Sequence, residues 1–297
     1  MELARSGKPP WVLALLFCGL LVALAFGPGL GGDFLNFDDD RTVLQNPAFQ
    51  GSVAQGLRRI LDPTEVIAEV YYPVTYLSLY LDYRLFGPEN PLGFHLHSLA
   101  LHALAGFVLI LLLSDLGLSQ SLAFLGAVPF LLHPALAESV VWVSSRKDPL
   151  SGLFVLLALL LGRRAVQRGS RSWPVLPLLL LACYSKGTAI VFPLLAFFLW
   201  RRSPRDPDED RRFRRLWLAS AVLALLALCH QGLLASRAGT TAFSGSLRAV
   251  PGSFLHYLRL AVWPGGLAVH YPRDELLASF AEGAWAKALA LGTLLLG

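Results

Sequence analysis

Three consecutive acids, Asp38, Asp39 and Asp40, follow the first long apolar run of the chain in the stretch NFDDDRTVLQNP. Neighbouring side chains on a helix or a strand point in different directions, so the three carboxylates are not expected to converge on one ligand. A single carboxylate facing a site could act as a general base and take the proton of an attacking hydroxyl group. The run could equally be a solvated turn or a helix cap before Asn46-Pro47.

Two later stretches, HPALAESVVWVSSRKD and YSKG, place charged side chains beside apolar runs. The cations there, Arg146, Lys147 and Lys186, could hold a departing phosphate group. Glu138 could orient a substrate or a cation. Structural roles stay open as well, because Arg146 and Lys147 could contact lipid headgroups beside a span, and Glu138 could form an ion pair with either of them.

Metal chemistry receives less support from the residue spacing. Asp38 and Asp40 form an Asp-x-Asp pair of the kind that could hold a divalent metal on a nucleotide sugar, but no nucleotide-binding fold accompanies it. His95 and His102 lie seven residues apart in one apolar run, and His133 lies at the end of the next. No cysteine or acidic cluster completes a zinc site with them, so hydrogen bonds inside a helical bundle are the favoured role. We predict neither a metal nor a cofactor.

The composition is that of a membrane protein. Hydrophobic residues make up 55% of the 297 residues and charged residues 15%, against roughly 25% charged in ordinary soluble domains. A very large soluble core would not supply repeated charge-free runs long enough to span lipid. The net charge of +5 comes from clustered arginines, which indicate membrane orientation and imply no nucleic-acid partner. The three cysteines lie in apolar runs and behave as small hydrophobic residues.

The first apolar run, Trp11 to Leu30, has no charge and follows Arg5 and Lys8. It predicts a transmembrane helix whose N-terminus is cytoplasmic. A cleaved signal peptide is the alternative, since positions 23 to 25 read Ala-Leu-Ala. In both cases the following segment lies outside the cytoplasm. Further apolar runs predict spans at 94–113, 121–136, 149–162 and 216–234.

The run Trp173 to Trp200 is apolar except for YSKG, and it lies between two arginine clusters. One long helix would put these clusters on opposite sides of the membrane. The positive-inside rule therefore favours two segments that meet at an outer turn containing Lys186. Each segment is too short to cross alone, so Lys186 is expected to point into a recess below the surface.

We therefore predict an all-α polytopic membrane protein with a multi-span helical bundle and a large first extracytoplasmic loop. Its parts are a tail with the first span (1–30), the loop with the acidic run (31–93) and the remaining bundle (94–297). Five tyrosines between residues 71 and 83 predict an interfacial helix in the loop. Residues 253–270 predict an interfacial or broken helix. The final apolar run, 284–297, is short for a span, so we expect further chain after it.

Five stretches in this order resemble the membrane domain of the transmembrane and tetratricopeptide-repeat O-mannosyltransferases and their bacterial relatives, in the GT-C class of glycosyltransferases. They are NFDDDRTVLQNP, YYPVTYLSLYLDYRLFGPENPLGFHLHSLALHAL, LLHPALAESVVWVSSRKDPLSGLFVLLALL, YSKGTAIVFPLL and YLRLAVWPGGLAVHYP. The resemblance implies transfer of mannose, with inversion, from a polyprenyl- or dolichyl-phosphate donor to Ser or Thr hydroxyls of proteins. It also implies a periplasmic or lumenal site in a multi-pass protein of a bacterial inner membrane or, in a eukaryote, of the endoplasmic reticulum.

The resemblance also assigns residues. It implies a catalytic base at Asp38 or Asp39, and it places the HP…E…RKD run on the six residues His133, Pro134, Glu138, Arg146, Lys147 and Asp148. The SK turn falls on Ser185 and Lys186. The chain departs from the family pattern at Gly187, where Glu or Pro is common, at Leu136, where a histidine is common, and in having no helical repeat of the 34-residue type. A transporter for a lipid-linked sugar and an inactive membrane scaffold are the alternative functions.

Overall fold

The computed structural model describes residues 11–65, 67, 71–200, 206–237, 250–265 and 267. In these ranges the α-helices are α1 (Trp11–Phe26), α2 (Val53–Leu61), α3 (Pro73–Phe86), α4 (Pro91–Asp115), α5 (Gln120–Leu132), α6 (Ala137–Val141), α7 (Lys147–Arg168), α8 (Val175–Ser185), α9 (Phe192–Trp200), α10 (Pro207–Arg237) and α11 (Val250–Val262). The regular elements of the described chain are all helical, which confirms the predicted all-α class. The final apolar run, 284–297, lies outside the described residues.

Four helical segments of the described chain are long and apolar enough to cross a membrane: Trp11–Gly31, Pro91–Asp115, Val143–Arg168 and Pro207–Arg237. Helices α5 and α6 form a fifth candidate that is bent by 53° between Leu132 and Pro134. The protein is therefore a multi-pass membrane protein, as its composition predicts. Helix α4 packs against α1, α5 and α7.

The run around YSKG folds as two short helices, as predicted. Helix α8 ends at Ser185, Lys186 has extended backbone angles, and a 3-10 turn leads into α9. At the far end of α9, the indole nitrogen of Trp200 donates to the carbonyl of Leu159, 3.0 Å away, in the second half of α7. Gly162 makes this approach possible, since a Cβ there would overlap the Trp200 ring. The alternative of one continuous helix is therefore wrong.

The two ends of the bundle carry different sets of charged side chains. At the end where α4 and α7 finish, the carboxylate of Asp115 pairs with Arg163, Arg164 and Arg168 at 2.8 to 3.3 Å. At the end where α7 begins, Lys186 pairs with Asp148. The arginines that pair with Asp115 and the Lys186–Asp148 pair therefore lie at opposite ends of α7.

The segment between α1 and α4 has a small hydrophobic core of its own. Phe49, Ile60, Tyr76 and Tyr80 are buried there together with Phe94 of α4. The tyrosine-bearing face of α3 therefore packs against protein. The tyrosines in the sequence instead predicted a helix lying in the membrane interface. This core fixes the position of the acidic run, because the π-helical turn Asp40–Leu44 contributes Val43 to it.

Candidate functional site

Asp39 is buried and accepts three hydrogen bonds. Its Oδ1 accepts from the backbone N–H of Ser144 at 2.9 Å and also from the Ser144 hydroxyl. Its Oδ2 accepts from the backbone N–H of Leu35 at 2.9 Å. No cap bond forms to the turn that Asp39 precedes, so the helix-cap role weighed for the acidic run does not apply to this side chain. Asp39 instead joins the acidic loop to the segment after α6.

Asp38 has a different environment. Its carboxylate is partly exposed and accepts no hydrogen bond from the described residues, while its backbone carbonyl accepts from the Thr42 hydroxyl at 2.9 Å. The carboxylate lies within electrostatic range of the Tyr76 phenol, whose pKa is raised well above its usual range by burial and then by Tyr72 and Asp38. Of the two acids implied as a base, Asp38 is the one whose carboxylate accepts no hydrogen bond from the described residues.

We expect Asp39→Asn to destabilise the protein. An amide supplies one acceptor oxygen where the carboxylate supplies two, so a buried N–H on one side loses its partner at a cost of about 1–3 kcal/mol. Ser144→Ala should cost less, about 0.5–1.5 kcal/mol, because the backbone bond from residue 144 remains. Because the residues share these bonds, the double variant should lose less stability than the sum of the single losses. Thermal unfolding in detergent measures this, and an Asp39→Asn protein as stable as the parent would contradict it.

Arg146 is fully buried, which rules out the contact with lipid headgroups considered from the sequence. Its guanidinium forms an ion pair with Asp82 of α3 and donates to the carbonyl of Phe94 at 2.6 Å and the hydroxyl of Ser98 at 3.2 Å. Asp82 also lies 2.8 Å from Nδ1 of His97. The donors of Arg146 are thus directed at protein acceptors, which favours a structural role over the predicted contact with substrate.

The partner of Arg146, Asp82, lies on a face of α3 that the sequence pattern predicts to be buried. Helix α3 buries Thr75 and Leu79, and Asp82 follows at helical spacing on the same face. An acid on a buried helical face requires a partner, because an unpaired buried charge is costly. Arg146, two residues after Ser144, is that partner.

The predicted cations behave differently from one another. Lys186 forms its ion pair with Asp148, and both side chains are about one quarter exposed. Lys147 is half-buried and forms no ion pair with a described residue. Glu138 is exposed and lies within electrostatic range of Asp148, Lys186 and Lys147. Glu138 therefore lies near Asp148, Lys147 and Lys186, and these four side chains form a charged cluster whose contact with substrate stays a prediction.

A cavity of about 910 Å³ lies between the segment after α1, the turn from α5 to α6, and α11. Asp39, Glu138 and Trp142 contribute to its walls, and most of the remaining lining is apolar. This volume and composition are typical of sites for small molecules. Because Glu138 borders the cavity and also belongs to the charged cluster, the two features meet there.

His133 and His95 are hydrogen-bonded to the backbone, whereas Nε2 of His102 has no hydrogen-bond partner among the described residues. His133 Nδ1 accepts from the N–H of Ala135 at 3.2 Å and so caps the turn that follows α5. His95, buried in α4, places its ring nitrogens 2.8 Å and 3.1 Å from the carbonyls of Val141 and Gly32. This confirms the expected hydrogen bonding inside the bundle for His95. The described residues contain no group of three or more His, Cys, Asp or Glu side chains suited to a metal ion.

Gly187 differs from the Glu or Pro expected from the resemblance, and the structure shows what occupies the space. A Cβ at this position would lie 2.7 Å from Oε1 of Gln231 in α10. The Gln231 side chain is held by a 2.8 Å hydrogen bond to the carbonyl of Cys183. A larger residue after Lys186 would therefore require Gln231 to move.

The fold and the site together define an all-α multi-pass membrane protein with a polar, cavity-bearing end. Comparison with curated proteins finds similarity to human protein O-mannosyl-transferase TMTC4, 28% identical over 177 residues, or 53% of this chain and 24% of that protein. Drosophila melanogaster protein O-mannosyl-transferase Tmtc1 is 28% identical over 256 residues, or 77% of this chain and 29% of that protein. Human TMTC1 is 30% identical over 196 residues, or 61% and 22%.

These similarities confirm the resemblance to the transmembrane and tetratricopeptide-repeat O-mannosyltransferases. The chain spans about a quarter of the length of the curated relatives it matches. No family model matches the chain. No solved structure matches it.

Proposed function

We propose that this chain forms the membrane part of a GT-C glycosyltransferase, which moves mannose from a polyprenyl- or dolichyl-phosphate donor to Ser or Thr hydroxyls of proteins. The observation that carries the proposal is the meeting, at Glu138, of a largely apolar cavity with a cluster of charged side chains. A lipid-linked sugar phosphate requires both, since the sugar needs an enclosed space and the phosphate needs cations. Similarity to proteins named protein O-mannosyl-transferase supports the same activity.

In the proposed reaction, the acceptor hydroxyl oxygen attacks the anomeric carbon of the sugar while the bond from that carbon to the phosphate oxygen breaks. Asp38 takes the hydroxyl proton, and the lipid phosphate leaves with the electron pair of the broken bond. Attack opposite the leaving group inverts the anomeric carbon. A carboxylate that is partly exposed and accepts no hydrogen bond from the described residues suits this task. Asp39, held by its hydrogen bonds from Ser144 and Leu35, positions the loop that carries Asp38.

The site is proposed to face the periplasm or the lumen. The arginines that pair with Asp115 lie at the opposite end of α7, and positively charged ends of spans are usually cytoplasmic. The segment 31–93 would then be an extracytoplasmic loop, and the membrane would be the bacterial inner membrane or that of the endoplasmic reticulum. A donor carried in the lipid suits this side, where no nucleotide sugar is supplied.

Lys147 and Lys186 are the proposed phosphate-binding cations, with Asp148 holding Lys186 when no donor is bound. We expect Lys186→Ala and Lys147→Ala each to weaken binding of the lipid phosphate by roughly ten- to hundredfold, because a charged hydrogen bond contributes about 1.5–3 kcal/mol. Equilibrium binding of a labelled polyprenyl phosphate to purified protein measures the effect. Arg214→Ala is the control and should bind the lipid phosphate as the parent does. It removes a cation that pairs with Asp210 near the start of α10. Parent-like binding by both lysine variants would contradict the assignment.

Transfer of labelled mannose from polyprenyl-phosphate mannose to Ser/Thr peptides, in membranes holding the chain, tests the function. The same membranes reconstituted as proteoliposomes separate the alternatives. Movement of the lipid between leaflets without a glycosidic product would favour a transporter. If the membranes give no glycosidic product and the lipid does not move between leaflets, the result would favour a scaffold.

A further inference from the structure

The indole N–H of Trp142 has no acceptor among the described residues. The side chain is 9% exposed and borders the cavity, and its Nε1 makes no hydrogen bond with the described residues. A buried tryptophan N–H usually finds a partner, and leaving it unpaired is unfavourable. A molecule in the cavity that carries an acceptor oxygen would supply this partner. A small movement of the Trp142 ring would bring its N–H to that oxygen.

The position of Trp142 connects the cavity with the acidic loop. Trp142 directly follows α6, four residues after Glu138 and two before Ser144, whose backbone and hydroxyl hold Asp39. Its ring lies 5.9 Å from that of Phe37, the residue that precedes the acidic run. A ligand that contacted the indole would therefore lie close to the loop that carries the proposed base.

The charges of the cavity wall indicate which part of the donor lies there. The described residues that line the cavity include Asp33, Asp39 and Glu138 but no lysine or arginine. An anionic phosphate would be repelled by these acids, whereas the cations Lys147 and Lys186 lie outside the cavity lining and within electrostatic range of Glu138. An uncharged group rich in hydroxyl oxygens fits the cavity better.

We infer that Trp142 binds the sugar of the lipid-linked donor by donating its Nε1–H to a sugar hydroxyl oxygen. The inference rests on the proposed function and extends it by naming a residue that recognises the sugar. No bond is made or broken in this step. Trp142 is a binding residue, which distinguishes a donor that carries a sugar from the bare polyprenyl phosphate.

The test compares two lipids, polyprenyl-phosphate mannose and polyprenyl phosphate, for binding to the purified full chain and to Trp142→Phe. Phenylalanine keeps an aromatic ring and removes the N–H. We expect roughly tenfold weaker binding of the sugar-bearing lipid, equivalent to about 1.4 kcal/mol, and unchanged binding of polyprenyl phosphate. Trp173→Phe, an exposed tryptophan just before α8, is the matched control and should bind both lipids as the parent does.

Equal weakening for both lipids, or none for either, would overturn the inference and leave the proposed function standing. Failure of the parent to bind either lipid would overturn both. If Trp142→Phe does not fold, the indole N–H resonances of the unmodified protein decide, since one of them should shift with polyprenyl-phosphate mannose and not with polyprenyl phosphate. The same resonances with both lipids would overturn the inference.

Discussion

Replacing Asp38 with asparagine is expected to lower sugar transfer by roughly 10²- to 10⁴-fold, the usual contribution of a positioned general base. The amide cannot take a proton from the acceptor hydroxyl. The structure gives reason to expect an intact fold, because the Asp38 carboxylate accepts no hydrogen bond from the described residues and only its backbone carbonyl is engaged. Initial rates of mannose transfer, with unfolding temperature measured in parallel, separate loss of chemistry from loss of structure.

Asp40→Asn is the matched control for this experiment. Asp40 belongs to the same acidic run and is also partly exposed, and its carbonyl accepts from the N–H of Gln45 within the π-helical turn. It should retain transfer close to that of the parent. An active Asp38→Asn protein, or an equal loss in Asp40→Asn, would contradict the assignment of Asp38 as the base.

The second large effect is expected on stability. Asp82→Asn should lower the free energy of unfolding by about 3–5 kcal/mol, because it leaves the guanidinium of Arg146 buried without its counter-charge. Arg146 is 0% exposed and Asp82 is 1% exposed, so solvent cannot replace the lost partner. The turn after α6 holds Asp39 through Ser144, so the same change should also disturb the acidic loop. Denaturation of the purified protein in detergent measures the loss.

Two comparison variants sharpen this result. Asp208→Asn breaks an ion pair with Arg211 whose side chains are about two thirds exposed, and it should change stability by about 0–1 kcal/mol. Replacing both buried partners by apolar residues, as Asp82→Leu with Arg146→Met, should recover most of the lost stability, since no unpaired charge remains. If Asp82→Asn were as mild as Asp208→Asn, the ion pair would not be a structural centre of this end of the protein.

The membrane architecture could be read from the sequence because lipid imposes strong constraints. A charge-free run such as Trp11 to Leu30 has few alternatives to a span. The break at Lys186 was predicted because one continuous span would put the two arginine clusters on opposite sides of the membrane. The topology predicted that Glu138, Lys147 and Lys186 would lie at the same end of the bundle, since each of them lies at a turn predicted on the outer side.

The individual side-chain partners could not be read in this way, because they depend on contacts between distant segments. Asp38 and Asp39 are adjacent and chemically identical. They differ in their hydrogen bonds, because Ser144 and Leu35 donate to the carboxylate of Asp39 and not to that of Asp38. The partner of Arg146 lies in α3, 64 residues away. Sequence patterns give the face of a helix on which such a residue lies, but not the residue that it meets across the interface.

We propose that a lipid phosphate delivers the sugar at this end of the protein and that Asp38 activates the acceptor. The most direct measurement supplies labelled mannose to membranes holding the chain, either on polyprenyl phosphate or on a nucleotide, together with a Ser/Thr peptide. We predict a peptide-linked mannose of inverted configuration from the polyprenyl-phosphate donor alone, at a rate that falls at least a hundredfold in Asp38→Asn. Transfer directly from the nucleotide sugar, or equal transfer by the parent and Asp38→Asn, would contradict the account.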